Sequence, residues 1–277
     1  MILKRSSEID VMAEAGVINR YALETVAKAV CPGVTTAELD AIAEDAIRSQ
    51  GGTPAFLGYP GSRKAFPASL CTSVNDIVVH GIPDDTRLRS GDIISVDIGT
   101  FYKGYAADMA YTFAVGDVPE QTRQLLTATE RSLYTGLMQA YVGRRIGDIA
   151  AAVQQVVEDA GFWVVREFVG HGIGTSFHES PEVPNYGIPK KGVKLRHGLV
   201  LAIEPMVTVT ETSVAILDDG WTAPTQNGSL AAHFEHTVAI TKDGPRILTA
   251  EDQAPLLDVD ALMDPTPYMF AGGAYGS

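Results

Sequence analysis

Four acidic side chains stand where buried strands should be apolar. Asp97 interrupts Ile93-Ile94-Ser95-Val96-Asp97-Ile98, and Asp108 follows on the next predicted strand. Glu204 ends the run Leu199-Val200-Leu201-Ala202-Ile203, and Glu235 lies within Phe234-Glu235-His236-Thr237-Val238. A carboxylate inside a strand is disfavoured, and burying it costs several kcal/mol unless it finds a partner. A tight turn centred between Tyr102 and Lys103 would set Asp97 opposite Asp108, with Cβ atoms about 4.5–5.5 Å apart. Carboxylates that close persist when one holds a proton or when a cation lies between them. With an offset turn, each would instead be a solvated edge residue.

Histidines extend the pattern. His171 sits in Gly170-His171-Gly172-Ile173-Gly174, where glycines let the backbone approach a ligand. His178 follows in Phe177-His178-Glu179, and His80 lies in Val79-His80-Gly81-Ile82-Pro83. Each alone could be a hydrogen-bonded loop histidine. Four carboxylates with one imidazole form the hard, oxygen-rich ligand set of a two-metal hydrolytic centre. His197 and His236 read as structural. The chain has no GxSxG elbow, P-loop or GxGxxG fingerprint, which weakens serine-nucleophile and nucleotide readings.

The elements that must position these residues follow from periodicity. Ser7 with Asp10 predicts a helix start, and Ile9, Met12, Ala13, Val17 and Tyr21 recur at helical spacing as far as about residue 30. After Pro32-Gly33, Thr35 with Glu38 opens a second helix carrying Leu39, Ile42, Ala43 and Ile47, closed by Gly51-Gly52. Residues 53–70 read as a loop, 71–79 and 92–115 as strands, 119–141 and 146–160 as helices. Strand-like runs return at 162–169, 199–209 and 234–240. The order ααβ, ααβ suggests a repeat. Gly33 and Gly51 lie 110 residues before Gly143 and Gly161, and Arg89-Ser90-Gly91 before Asp97 resembles Arg196-His197-Gly198 before Glu204. Two related α+β halves meeting at a shared site are therefore expected.

Composition bounds the rest. The 277 residues carry 21 basic and 34 acidic side chains, a net charge of −13, which argues against a nucleic-acid or anionic-membrane binder. Cys31 and Cys71 make no disulfide framework, the N-terminus lacks an apolar leader, and no run of about 18 apolar residues occurs. A cytoplasmic protein is the expectation. Residues 251–277 hold five acids and no Lys or Arg, and their Pro, Gly and Ala content reads as a mobile acidic tail behind a single domain of residues 1–250.

Taken in order and spacing, the His-Gly-Ile-Pro at 80–83, Asp97 and Asp108 eleven apart, Gly170–Gly174, Phe177-His178-Glu179, Glu204-Pro205-Met206 and Glu235-His236-Thr237 resemble type I methionine aminopeptidase over about residues 5–250. The resemblance implies an α+β pita-bread fold, two pseudo-symmetric halves around a curved antiparallel sheet with helices outside. It implies that Asp97, Asp108, His171, Glu204 and Glu235 bind two divalent ions (Co, Mn, Fe or Zn), with Asp108 and Glu235 bridging. A metal-bridging hydroxide would attack the carbonyl after an N-terminal methionine, with Glu204 shuttling the proton. His178 would polarise that carbonyl, and His80 would contact the scissile nitrogen. Phe56, Tyr59, Phe66, Cys71, Phe177 and Trp221 would take the methionine side chain, although ordinary core packing also accounts for each aromatic residue.

The implied substrate is the N-terminus of nascent chains, with a small second residue, met by a monomer near the ribosomal exit tunnel. No membrane and no specific nucleic-acid sequence is implied. Three features depart from the family pattern: a longer loop between Tyr59 and Cys71, His233 where Gln is expected, and residues 251–277. The alternatives are a pita-bread Xaa-Pro peptidase, whose kind generally carries a large extra N-terminal domain, and an inactive pita-bread module that binds peptides or proteins.

Overall fold

The structure, a computed structural model, describes residues 1–251, 253 and 270–271. The first half contains α1 (Ser6–Ala27), α2 (Thr36–Ser49), β1 (Thr53–Pro54), β2 (Leu70–Val74), β3 (Ile77–Val79), β4 (Ile93–Tyr102) and β5 (Tyr105–Val115). The second contains α3 (Glu120–Leu137), α4 (Ile146–Asp159), β6 (Trp163–Val164), β7 (Gly170–Gly172), β8 (Glu179–Val183), β9 (Val200–Ile203) and β10 (Met206–Thr208). It continues through β11 (Ala223–Pro224), β12 (Ala231–His233), β13 (His236–Thr241) and β14 (Gly244–Ile247), and β15 (Phe270–Ala271) pairs in parallel with β5. Of the segment read as a mobile tail, all but residues 251, 253 and 270–271 lie outside the described residues.

The second helix of each half, α2 and α4, begins in the same way. Thr35 and Glu38 close a reciprocal capping box at α2: the Glu38 amide donates to Thr35 Oγ1 (3.1 Å) and the Thr35 amide to Glu38 Oε2 (2.7 Å). At α4 the Arg145 amide donates to Asp148 Oδ2 (2.8 Å). Gly33 and Gly143, at φ +98° and +95°, each precede a cap and donate to Leu88 and Leu195 carbonyls at 2.8 and 3.0 Å. The 110-residue offset in the sequence is thus a repeated backbone path. α1 departs from expectation at two points. Its cap is the Arg5 amide on Glu8 Oε2 (2.6 Å) rather than Ser7 with Asp10, and Val17 and Tyr21 are exposed. The buried face instead runs through Met12, Ala13, Gly16 and Asn19, because the Leu248 carbonyl would lie 2.0 Å from a Cβ at Gly16.

β4 and β5 form the longest hairpin, and its register corrects the sequence expectation. Lys103 and Gly104 both adopt left-handed φ (+48° and +82°), so a two-residue turn pairs Tyr102 with Tyr105 and places Gly99, not Asp97, opposite Asp108. Such primed turns match the twist of the flanking strands, which is why the turn falls one residue later than expected. Asp97 faces Ala110, and Asp108 lies two residues along from Ala110, so both acids still share one face.

The second half is built on the ladder of β9 and β10 against β13 and β12. His236 pairs with Ile203, and Met206 with His233, so the register continues unchanged across a break at Glu204-Pro205 and Phe234-Glu235. Pro205 has no amide to donate there, and the ladder opens into two sheets at that point. The two halves are stitched along β5. The Asp108 amide donates to Thr237 Oγ1 (2.9 Å), the Glu235 amide to the Ala110 carbonyl (2.9 Å), and the His233 amide to Thr112 Oγ1 (2.9 Å). α1 packs on β4 and β5, α3 on β9, β10 and β12, so all helices lie on the outer side. Among the described residues, no helix is long and apolar enough to cross a membrane.

Candidate metal centre and binding pocket

Where the halves meet, the acids converge for backbone reasons. Glu204 and Glu235 stand across from each other in the broken ladder. His171, on β7, pairs with Ala202, and alternation puts its side chain on the same face as Glu204. The glycines around His171 serve a different purpose from the one expected. A Cβ at Gly170 would lie 2.4 Å from the Ala202 carbonyl and one at Gly172 2.6 Å from that of Ser180, so they admit neighbouring strands rather than a ligand.

Two groups of donors result. Asp108, His171 and Glu235 can each offer one ligand atom within 4.8 Å of the others, and so can Glu204, His233 and Glu235. His171 Nε2 is 3.8 Å from Asp108 Oδ2 and 3.7 Å from Glu204 Oε1. Its Nδ1 lies 2.8 Å from the Gly172 carbonyl, which accepts a hydrogen bond from Nδ1–H and leaves Nε2 to ligate. Asp97 stands outside both groups, beside Asp108.

The electrostatics of this cluster call for a cation. Asp97, Asp108 and Glu235 are buried, and burial followed by repulsion from neighbouring acids pushes the Asp97 and Glu235 carboxyls well above the usual range. Burial also raises Asp108, against the pull of His171. Burial alone would depress His171, but Asp108 and Glu204 raise it overall. Asp97 Oδ1, Glu235 Oε1 and His233 Nε2 are buried without any hydrogen-bond partner. Among the described residues, the ion pairs of Asp108, Glu204 and Glu235 are with histidines, with no lysine or arginine among them. Orphaned oxygens of this kind fit a divalent cation.

One cavity of about 260 Å³ connects this cluster to an apolar pocket. Every residue that the resemblance assigns to the site lines it: Asp97, Asp108, His171, Glu204 and Glu235, then Phe56, Tyr59, Phe66, Cys71, Phe177 and Trp221, with His80 and His178; His233 is not among the lining residues. The rings pack edge to face, Phe56 with Phe177 at 5.2 Å between centroids and Phe66 with Trp221 at 5.2 Å. Burial and the Asp97 charge keep Cys71 a thiol.

Both outer histidines are neutral at physiological pH. His178 is exposed at the surface, yet the protein packed around its ring, with the charge of His171, lowers it to about 4. Tyr59 Oη lies 2.6 Å from His178 Nδ1, and burial raises the phenol's pKa, so the phenol stays protonated; taken as the donor of this bond, it makes Nδ1 the acceptor. Nε2 then carries the ring proton. His80, held at φ +60° between Phe168 and Trp221, is lowered to about 4 by burial. Sequence reasoning missed Phe168 and Met206 in the lining. Met206 directly follows Glu204-Pro205 and was legible in principle, whereas Phe168 carries no pattern of its own.

Residues 10–242 match the model of metallopeptidase family M24. The chain belongs to that family. It is 51% identical over 250 residues to the methionine aminopeptidase of Clostridium acetobutylicum, covering 90% of this chain and 98% of that one. Methionine aminopeptidase 1 of Bacillus subtilis is 48% identical over 249 residues, covering 90% and 99%. The crystal structure of the Thermotoga maritima methionine aminopeptidase superposes with a TM-score of 0.88 at 41% identity, over 91% of this chain and 100% of that one. A prolidase from Pyrococcus furiosus shares the fold at a TM-score of 0.71 and 22% identity, with 66% of its chain covered. The pita-bread fold, two halves around antiparallel sheet with helices outside, is therefore shared with both of these structures. The near-complete match to methionine aminopeptidases sets this member among them.

Proposed function

We propose that this chain is a metal-dependent aminopeptidase that removes the N-terminal methionine from nascent polypeptides with a small second residue. The observation that supports it best is the single cavity joining a carboxylate–imidazole cluster to an aromatic and sulfur-lined pocket. The pocket suits a thioether, which packs favourably against ring edges. The cluster suits the free amine and reacting carbonyl of a first residue.

Asp97, Asp108, His171, Glu204 and Glu235 would hold two divalent ions, drawn from Co, Mn, Fe or Zn according to supply. Glu235 belongs to both donor groups, and Asp108 stands beside Asp97, so these two are suited to be shared. Bound cations would supply Lewis acidity and activated water. Glu204, the least enclosed of the acids, takes the proton of the attacking water and passes it to the departing nitrogen. His178, neutral with its proton on Nε2, donates to the carbonyl oxygen as negative charge develops there. His80 contacts the scissile nitrogen. The reaction belongs in the cytoplasm, carried out by a monomer on chains emerging near the ribosomal exit tunnel.

The test is hydrolysis of Met-Ala-Ser against Xaa-Pro peptides by metal-stripped protein with metals added back. Release of methionine only after metal addition is expected. Activity confined to the proline peptides would establish the other M24 specificity, and metal-free binding without cleavage an inactive module.

A further inference from the structure

Resting on the reading that the centre takes divalent cations, we propose that His233 is a metal ligand, a second imidazole joining Glu204 and Glu235 on one ion. His233 Nε2 lies 3.6 Å from Glu204 Oε2 and 3.8 Å from Glu235 Oε2, on a side chain only 2% exposed. Hydrogen bonds would draw such atoms to roughly 2.7–3.2 Å. A cation with bonds of about 2.0–2.2 Å in tetrahedral array spreads its donors to roughly 3.4 Å. The observed spacing is the second kind.

His171 provides an internal standard. Its Nε2 stands 3.7 and 3.8 Å from Glu204 Oε1 and Asp108 Oδ2, so the two imidazoles flank Glu204, one at each carboxylate oxygen. His233 Nε2 and Glu235 Oε1 are both buried without hydrogen-bond partners. The backbone that carries the imidazole is also firmly held. The His233 amide and carbonyl are both tied to Thr112 Oγ1, at 2.9 and 2.8 Å, and its Cα pairs with Met206 on β10. A strand tied in this way at the seam fixes the point from which the side chain reaches Glu204 and Glu235. A second imidazole shifts the ion's surroundings away from all-oxygen chemistry towards cobalt, iron or zinc and away from magnesium or calcium.

The test uses the full-length protein, stripped with chelator and titrated with Co(II) alone. Calorimetry gives stoichiometry and affinity, and X-ray absorption at the cobalt edge counts imidazoles. Two cobalt ions sharing His171 and His233 should average one imidazole each. His233→Ala should halve that count and weaken one site by about 10–100-fold, a range already reached by groups one step removed from a metal. His233→Gln keeps volume and hydrogen-bonding capacity, and should show the same loss of imidazole scattering if His233→Ala fails to fold. An unchanged imidazole count and affinity in the variant that folds would overturn the assignment while leaving the metal centre standing. Wild-type protein that takes up no cobalt would overturn the parent reading as well.

Discussion

At the level of single residues, the proposed mechanism divides labour between groups that hold charge and groups that move protons. Glu204 differs from Asp97, Asp108 and Glu235 in being only partly enclosed, with 13% of its side chain exposed, which suits a carrier that must meet substrate. Glu204→Gln keeps the shape but cannot take a proton. Its kcat on Met-Ala-Ser is expected to fall by about 10²–10⁴-fold, the usual share of general acid–base catalysis; full activity in this variant would remove Glu204 from the mechanism. Tyr59 acts through His178. Tyr59→Phe removes the phenol at 2.6 Å from Nδ1 and frees the other tautomer, so kcat should drop while methionine binding, read as KM, changes little. A loss confined to KM would make Tyr59 merely a wall of the pocket.

At the level of elements, the hairpin of β4 and β5 does two things at once. It carries both aspartates on one face, and it places Gly99 opposite Asp108 under the Phe177 ring, where a Cβ would lie 2.6 Å from the ring and 3.0 Å from Ala55. Gly99→Ala must therefore displace the Phe177 ring, which lines the pocket. We expect KM for Met-Ala-Ser to rise at least several-fold with a smaller change in kcat, measured by steady-state kinetics, and an unchanged KM would show that the ring can move outward. The caps are a second case. Asp148 accepts from the Arg145 amide at α4 and also, at 2.7 Å, from the Lys190 amide, whereas Glu38 serves only its own helix cap. Asp148→Ala should cost about 1–2 kcal/mol in chemical denaturation, and more than Glu38→Ala. These elements also show what the sequence could reveal. The acids were legible because four carboxylates inside strand-like runs each need a partner that no nearby Lys or Arg supplies, and the α2 box because Thr35 and Glu38 form it locally. The register of the hairpin was not, because Lys103 in the left-handed region is a turn choice few residues announce. The exposure of Val17 and Tyr21 was hidden because Gly16 sets the α1 face through a distant contact with Leu248. The broken ladder that turns Glu204 towards Glu235 depends on two strands thirty residues apart, and Pro205 was its only local sign.

At the scale of the whole molecule, the centre sits on the seam between the halves, so its charge state bears on the stability of the fold. Asp97, Asp108 and Glu235 have raised pKa values in the metal-free protein. The native state then keeps protons that the unfolded chain has already released, and stability falls as pH climbs from the ordinary carboxylate range, near 4, through the raised native values. His80, His178 and His236, lowered to about 4 by burial, act in the opposite sense. They cost stability as pH falls from about 6.5 towards 4, because the unfolded chain binds protons that the native state refuses. A cation at the seam displaces the protons and relieves the repulsion, and its affinity competes with them. The rise in Tm on adding Mn(II) or Co(II) should therefore grow as pH is raised from 5 to 8, because comparing loaded with stripped protein at each pH largely cancels the histidine contribution. Calorimetric titrations in buffers of different ionisation enthalpy should also show net proton release on metal uptake. A Tm increment independent of pH, with no proton released, would mean that the carboxylates are already ionised before a metal binds.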